Sequence, residues 1–235
     1  MTSEAQDPTR VGSEPPRDAG PALVLSRAEI IALATKAARG AGRHWGEAEE
    51  AGWACGWLAQ AGLPGPEMLL RLLTNKDVSA PQPDSGRWSA PGLLCPLRAG
   101  VAMMDHAELP EGPRAGLVRL DDVAGPLFLL PFVARMAAEL GCPLTYRMGA
   151  SVLTFGAGGA TPDLRRLRSA LATTRADVTL CSGTASVGLD ETPGPFDGLI
   201  TRETWQALDA IAMRTTVPAS DLSRQRAGAQ ASDND

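Results

Sequence analysis

The sequence from Leu25 to Ala61 predicts two helices joined by a link of only four residues, 41–44. Ser26 followed three residues later by Glu29 is a capping box, which predicts a helix start at residue 26. Apolar residues then recur at helical spacing, and Gly40 is predicted as the C-terminal cap. Because so short a link turns the chain back on itself, the sequence predicts an antiparallel helical hairpin.

The second predicted helix, from about Trp45 to Ala61, has one side made of small residues. These residues are Ala48, Gly52, Cys55 and Ala59. A side without bulky groups lets another backbone approach closely, so we expect the two helices to pack tightly. A third, shorter helix is predicted over residues 66–73, with Pro66 in its first turn.

The hydrophobic period changes after the proline-rich loop at residues 79–92. Short strands are predicted at residues 101–104, 116–120, 144–146, 151–155 and 177–181. Helices are predicted at residues 128–140, 162–172 and 202–214. Strands that alternate with helices favour an α+β or α/β fold, with the N-terminal hairpin packed on a small mixed sheet and further helices.

The two ends of the chain differ in composition from the middle. Residues 1–21 are polar and rich in proline and glycine, which predicts a disordered tail. Residues 22–218 are predicted to form a single globular domain. Residues 219–235 are a polar C-terminal tail, expected either to be disordered or to dock on the domain.

Charge and hydropathy exclude several classes of protein. The chain has 22 Lys and Arg against 27 Asp and Glu, a net charge of −5, which argues against nucleic-acid binding. No apolar run approaches the roughly 20 residues of a membrane helix, and no basic segment precedes an apolar one near Met1. We therefore expect a cytoplasmic protein without a membrane anchor.

Its four cysteines form no CxxC pair, so free thiols are expected rather than a structural zinc site.

The densest cluster of functional side chains surrounds the link between the first two helices. Lys36, Arg39, Arg43 and His44 lie there, beside backbone N–H groups at the start of the second helix. Such a place can bind a carboxylate or a phosphate, with His44 as the proton-transfer group and the other three as substrate-binding residues. The alternative is purely structural, because basic residues often end helices and can pair with Glu47, Glu49 and Glu50.

Three other patterns are weaker. The glycine turn within residues 153–168 lacks the last glycine of a dinucleotide fingerprint. Cys181 and the nearby Ser186 have no evident base, so a buried thiol is the simpler interpretation of Cys181. His106 lies between Asp105 and Glu108, but this spacing matches no metal motif. No cofactor-binding or metal-binding residue is therefore predicted, and the sequence leaves the cofactor unknown.

Three segments resemble a known family. They are LSRAEIIALATKAARGAGRHWGEAEEAG (residues 25–52), LFLLPFVARMAA (residues 127–138) and VPASDLSRQRAGAQASDND (residues 217–235). Together they are similar to an uncharacterised bacterial family of unknown function that is frequent in alphaproteobacteria. The resemblance implies one unit from about residue 23 onward, with the polar tail as part of it. It implies no activity and no catalytic residue.

Two functions remain open at the level of sequence. The first is an enzyme, or a subunit of one, of small-molecule metabolism that binds an anionic metabolite through Arg39, Arg43 and His44. The second is a non-catalytic accessory or ligand-binding protein that acts through a protein partner or as a homo-oligomer. The shortage of general bases, with two histidines and one tyrosine, favours the second.

Overall fold

The computed structural model describes residues 22–159, 161–183 and 198–215. Within these residues the chain forms six α-helices and nine strands, an α+β architecture as predicted. Both predicted tails, 1–21 and 219–235, lie outside the described residues, as does Ser186. The proposal of a single domain over residues 22–218 stays a prediction.

Helix α1 (Arg27–Gly40) begins at the predicted capping box. The Ser26 N–H donates to Glu29 Oε2 at 2.7 Å, and the Glu29 N–H donates to Ser26 Oγ at 3.2 Å. These two bonds satisfy backbone donors that the first helical turn leaves without partners. The predicted helix start is confirmed.

The end of α1 differs from the prediction. Gly40 is the last helical residue, and the left-handed residue beyond the end is Gly42, with φ of +84°. The N–H groups of Gly42 and Arg43 donate back to carbonyls of the last turn at 2.9 and 3.0 Å, as in a Schellman motif. Gly40 is required for another reason, because a Cβ there would lie 1.8 Å from the Ile211 carbonyl oxygen.

Helix α2 (Trp45–Gln60) packs against α1 through the predicted small side. A Cβ on Gly52 would lie 2.1 Å from Thr35 Oγ1, and a Cβ on Gly56 would lie 2.6 Å from Ile31 Cγ1. Because Gly52 and Gly56 carry no side chain, the Thr35 and Ile31 side chains of α1 lie directly against the backbone of α2. The close helical hairpin is confirmed.

Helix α3 (Gly65–Thr74) follows the hairpin as predicted, but the predicted strand at residues 101–104 is wrong. That segment lies inside helix α4 (Pro96–Asp105). Four consecutive apolar residues fit a buried strand and a buried helical turn equally well, so the pattern alone did not distinguish them. The helix starts with proline in its first turn, and Leu97, Gly100 and Met103, spaced by three, are buried.

The strands are short. They are β1 (Ala22–Val24), β2 (Val78–Ser79), β3 (Arg87–Trp88), β4 (Leu93–Leu94), β5 (Val118–Ala124), β6 (Leu144–Met148), β7 (Ser151–Phe155), β8 (Arg175–Ser182) and β9 (Leu199–Thr201). The main sheet has the order β2-β4-β5-β8-β6-β7, and β3 also pairs with β5. The first part is parallel and the part from β5 to β7 is antiparallel, so the predicted mixed sheet is confirmed.

The remaining helices cover the sheet and the hairpin. A 3-10 helix (Pro126–Leu129) runs into α5 (Leu130–Leu140), and α6 (Arg202–Ala212) follows β9 and continues as a 3-10 turn (Met213–Thr215). The helix predicted at residues 162–172 is a 3-10 helix (Leu164–Ala172). None of the helices in the described part of the chain combines the length and apolar composition that a membrane crossing requires.

Two hydrophobic clusters stabilise this arrangement. The large cluster joins α2, α4 and α5 to the sheet and includes the buried Trp88 and Phe132. The small cluster lies between α1, β9 and α6 and consists of Ala37, Ile200, Leu208, Ile211 and Ala212. The link between α1 and α2 therefore lies beside the end of α6.

Candidate functional site

The cationic corner, defined as Lys36, Arg39, Arg43 and His44, occupies the turn between α1 and α2. The structure brings two of its members together, because Nη1 of Arg39 donates to the carbonyl oxygen of Arg43. Lys36 and His44 are exposed beside them. His44 is the N-cap of α2, but its side chain makes no capping hydrogen bond.

An exposed tryptophan extends the corner outward. The guanidinium carbon of Arg39 lies 4.7 Å from the centre of the Trp45 ring, in cation–π contact. Trp45 is 65% exposed. The contact holds the Arg39 side chain over the first residue of α2, with the charge at the molecular surface.

Arg43 extends inward instead. Its Nε atom is buried and has no hydrogen-bond partner among the described residues. Its charge acts on Cys95, the N-cap of α4. Burial raises the pKa of the Cys95 thiol, although a hydrogen bond from the Arg98 N–H and the charge of Arg43 oppose that rise. Cys95 is therefore a protonated thiol at neutral pH rather than a nucleophile.

The glutamates of α2 form no ion pair with the corner among the described residues, although Glu47 Oε2 is buried there without a hydrogen-bond partner. Glu47 Oε1 accepts from Arg98 Nε at 3.0 Å, and Glu50 accepts from Arg135 Nη1 at 2.9 and 3.0 Å. Glu49 is exposed. The structural alternative, in which these carboxylates pair with the corner, is not what is observed among the described residues.

Arg135 and Glu50 belong to the core rather than to a site. The Arg135 guanidinium carbon lies 3.3 Å from the centre of the Trp53 ring, and Trp53 contacts Phe132 edge-on at 5.6 Å between ring centres. This stack covers the junction of α2 with α5. The Arg135 guanidinium therefore contacts Trp53 and is paired with Glu50.

The sequence did not predict the pair formed by His106 and Glu111. His106 Nδ1 lies 2.6 Å from Glu111 Oε1, whereas the sequence pointed to Asp105 and Glu108 as its neighbours. The buried Trp88 ring meets the His106 ring edge-on at 5.6 Å, and its Nε1–H donates to the Glu111 carbonyl. The sequence held one sign of this pair. Gly112 follows Glu111 and favours a tight turn, which can bring Glu111 back toward His106.

The hydrogen bond from His106 lowers the pKa of Glu111. A carboxylate with a lowered pKa stabilises the fold above its unfolded pKa of about 4.3, and this contribution is lost as the pH falls through the folded value. Replacing Glu111 with glutamine is therefore expected to lower the free energy of unfolding at pH 7. The difference from wild type should shrink below about pH 4.

Urea unfolding at a series of pH values measures this difference. Glu108→Gln is the matched control, because the Glu108 side chain is 70% exposed and its ion pair with Arg114 is worth little at any pH. A Glu111→Gln difference that stays constant from pH 7 to pH 3 would show that the His106 contact is not electrostatic.

A second charged cluster lies on the sheet, at a β-bulge between Leu120 and Val123 of β5. Asp122 has a φ of +50°, the one positive value among described residues other than glycine. Partial burial alone would raise the pKa of Asp121, but hydrogen bonds from Arg87 and Arg119 outweigh it and lower that pKa.

The carboxylates of this cluster are matched by arginines. Arg119 Nε lies 2.8 Å from Asp121 Oδ1, and Arg175 Nη2 lies 2.7 Å from Asp122 Oδ1. Arg119 also binds Asp177. The charges compensate within the cluster, so it has little capacity to select an ion.

The remaining sequence candidates have structural explanations. Gly159, in the glycine turn, has φ of +80°, and the helix that follows is a 3-10 helix from Leu164 rather than an α-helix capped by Thr161. Cys181 lies in β8 and is only partly buried, so the interpretation of this residue as a buried thiol is wrong. The described residues contain no group of three or more histidine, cysteine or acidic side chains placed to hold a metal ion.

The corner lies in the part of the chain that has relatives. Residues 25–86 match a family described as protein of unknown function (DUF3726). The match confirms the resemblance seen in residues 25–52, and it contains all four residues of the cationic corner. The segments at residues 127–138 and 217–235 lie outside it. No curated protein matches the sequence.

Proposed function

We propose that this protein binds a small anionic metabolite, a carboxylate or a phosphate, at the cationic corner, as an enzyme or enzyme subunit of small-molecule metabolism. One observation carries the proposal. The Nε–H of Arg43 is a buried donor without an acceptor among the described residues. Leaving such a charged donor unpaired is costly, so its place in the fold favours a bound anion as the acceptor.

The electrostatics of the corner support an anion there. None of the ion pairs among described residues involves Lys36, Arg39 or Arg43. Lys36 and Arg39 are three residues apart on α1 and therefore share a side of the helix. Their charges add to the positive end of the α2 dipole.

The roles of the residues follow from their positions. Arg43 can offer Nε and one terminal nitrogen to two oxygens of the same anion, the geometry that favours carboxylate and phosphate. The uncapped first turn of α2 adds backbone N–H donors. His44, exposed at that turn, is the proposed proton-transfer group.

Inorganic phosphate and small carboxylates are the probes, with thermal unfolding as the measurement. A ligand at a hundred times its Kd stabilises a protein by about 2.7 kcal/mol, which is easily detected. We expect Arg43→Gln to remove the phosphate-induced rise in Tm, because the buried donor is lost. Arg147→Gln, at an exposed arginine of β6, is the matched control and should keep the full rise.

The proposal is wrong if the double variant Arg43→Ala/His44→Ala keeps every ligand-induced stabilisation of the wild type. A loss of stabilisation in the Arg147→Gln control would also count against it, since the effect would then be a general response to surface charge.

Trp45 favours the second function, an accessory protein that acts through a protein partner. It is 65% exposed and lies under Arg39, and tryptophan and arginine are the residue types that dominate protein interfaces. A stable complex after co-purification in which Trp45 is protected from solvent would support this function. A monomer that turns over substrate alone would exclude it.

A further inference from the structure

A cavity of about 220 Å³ lies away from the cationic corner, between α3, the end of β5 and the start of β8. Its inner wall is apolar and includes Leu72, Leu127 and Phe128, all buried. The Gly125 N–H donates to the Thr174 carbonyl at 2.8 Å and joins the two strands beside the cavity. The wall is therefore built from several elements that fix its shape.

The polar residues of the cavity are donors. Arg71, in the last turn of α3, is exposed and takes part in none of the ion pairs among described residues. Asn75 Oδ1 accepts from the Asp77 N–H at 2.9 Å, which leaves the amide nitrogen of Asn75 as a donor. Thr173 adds a hydroxyl group.

The C-terminal end of α3 would normally repel an anion, because its last carbonyls are free acceptors. Of these carbonyls, that of Arg71 accepts from the Asn75 N–H at 3.1 Å and from the Thr74 hydroxyl at 3.2 Å. No acidic side chain is among the described residues that line the cavity. The polar side chains at the opening therefore include a guanidinium and an amide but no carboxylate.

Size limits the ligand. An apolar protein cavity of about 150 Å³ holds benzene, so 220 Å³ has room for one ring or a short branched chain and a small polar group. A nucleotide or a coenzyme is too large for it.

We propose that this cavity binds a small aromatic or branched aliphatic monocarboxylate, with its apolar body against Leu72 and Phe128 and its carboxylate on Arg71. The residues of the cationic corner are not among those that line this site. The first turn of α4 lies between the two, since Cys95 is near Arg43 and Pro96 lines the cavity.

The test is titration of the purified full-length chain with benzoate, followed by NMR of the backbone amides and by calorimetry. Shifts are expected at Gly125, Thr173 and Thr174. Arg71→Gln should weaken benzoate binding about tenfold or more, because a charge-assisted hydrogen bond is lost. Ala124→Leu should abolish it by filling the chamber. Since Arg71 is exposed, its variant remains informative if Ala124→Leu fails to fold.

Two controls separate this site from the cationic corner. Arg43→Gln should leave the benzoate-induced shifts at Gly125, Thr173 and Thr174 unchanged, and Arg71→Gln should leave the response to inorganic phosphate unchanged. Benzyl alcohol, which has the ring without the charge, should bind at least tenfold more weakly than benzoate.

Equal binding of benzoate to wild type and Arg71→Gln, or equal binding of benzoate and benzyl alcohol, would overturn the assignment of the carboxylate to Arg71. Amide shifts confined to α1 and α2 would place benzoate at the corner and overturn the cavity site. The absence of benzoate binding at millimolar concentration would overturn it as well.

Discussion

Replacing Gly40 with alanine is expected to lower the free energy of unfolding by about 2 kcal/mol, because the new methyl group overpacks a backbone contact. A Cβ at this position would lie 1.8 Å from the Ile211 carbonyl oxygen and 2.7 Å from the carbonyl carbon. A backbone cannot rotate away as a side chain does, so the end of α1 must separate from α6. Thermal or urea unfolding measures the loss.

Gly46 is the matched control for this prediction. It is an exposed residue of α2, and a Cβ there would meet nothing within 4 Å. Gly46→Ala is therefore expected to stabilise the protein by up to about 1 kcal/mol, through the reduced entropy of the unfolded chain. If both variants change stability in the same direction, packing against α6 is not the reason for glycine at residue 40.

Truncation of Phe132 to alanine is expected to cost about 3–5 kcal/mol, as for other fully buried aromatic residues. The ring is fully buried in α5, contacts Trp53 edge-on and fills the space above Gly100 of α4. Its loss would leave a cavity where α2, α4 and α5 meet. For a chain of this size the Tm should fall by roughly 6–20 °C.

A double-mutant cycle separates the ring's packing from general instability. A Cβ on Gly100 would lie 2.3 Å from Phe132 Cδ2, so Gly100→Ala alone should destabilise by overpacking. In the Phe132→Ala background the same methyl group enters the vacated space and should be neutral or stabilising. Additive effects of the two changes would show that the contact between α4 and α5 is not as close as described.

The hairpin could be predicted from the sequence because local rules determine it. The capping box at Ser26 and Glu29 needs only residues three apart, and the small side of α2 follows helical spacing. The prediction that Gly40 caps α1 was wrong because a glycine near a helix end is compatible both with a cap and with close packing against another backbone. What distinguishes Gly40 from Gly42 is the backbone of α6, which lies far away in sequence.

The charges of the candidate site could be predicted only in part. The sequence placed Arg39 and Arg43 at one turn, and the structure brings them together. It could not show that Glu47 binds Arg98, or that Glu50 binds Arg135, because these partners are 51 and 85 residues distant. Rules for charges at helix ends use only residues that are close in sequence. The net charge of the corner depends on which distant residues bind the glutamates of α2.

The cavity could not be predicted from the sequence. The cavity is formed by residues of α3, α4, β5, the 3-10 helix Pro126–Leu129 and the segment before β8, which are far apart in sequence. The strand prediction at residues 101–104 also failed for want of tertiary information, since an apolar run has the same pattern in either state. Both failures of prediction concern places where elements that are distant in sequence pack together.

The pairing of β1 with β9 has a consequence for how the chain folds. Ala22 pairs with Thr201 and Val24 with Leu199, so strands from opposite ends of the described chain form one ladder. Closing a loop of this length costs more conformational entropy than forming a local contact. This cost is offset only after the core between the two strands has formed. We expect this ladder and the docking of α6 on α1 to form last. Until then we expect the side of α1 that contains Ala37 and Gly40 to stay exposed to solvent, because α6 covers it in the folded protein.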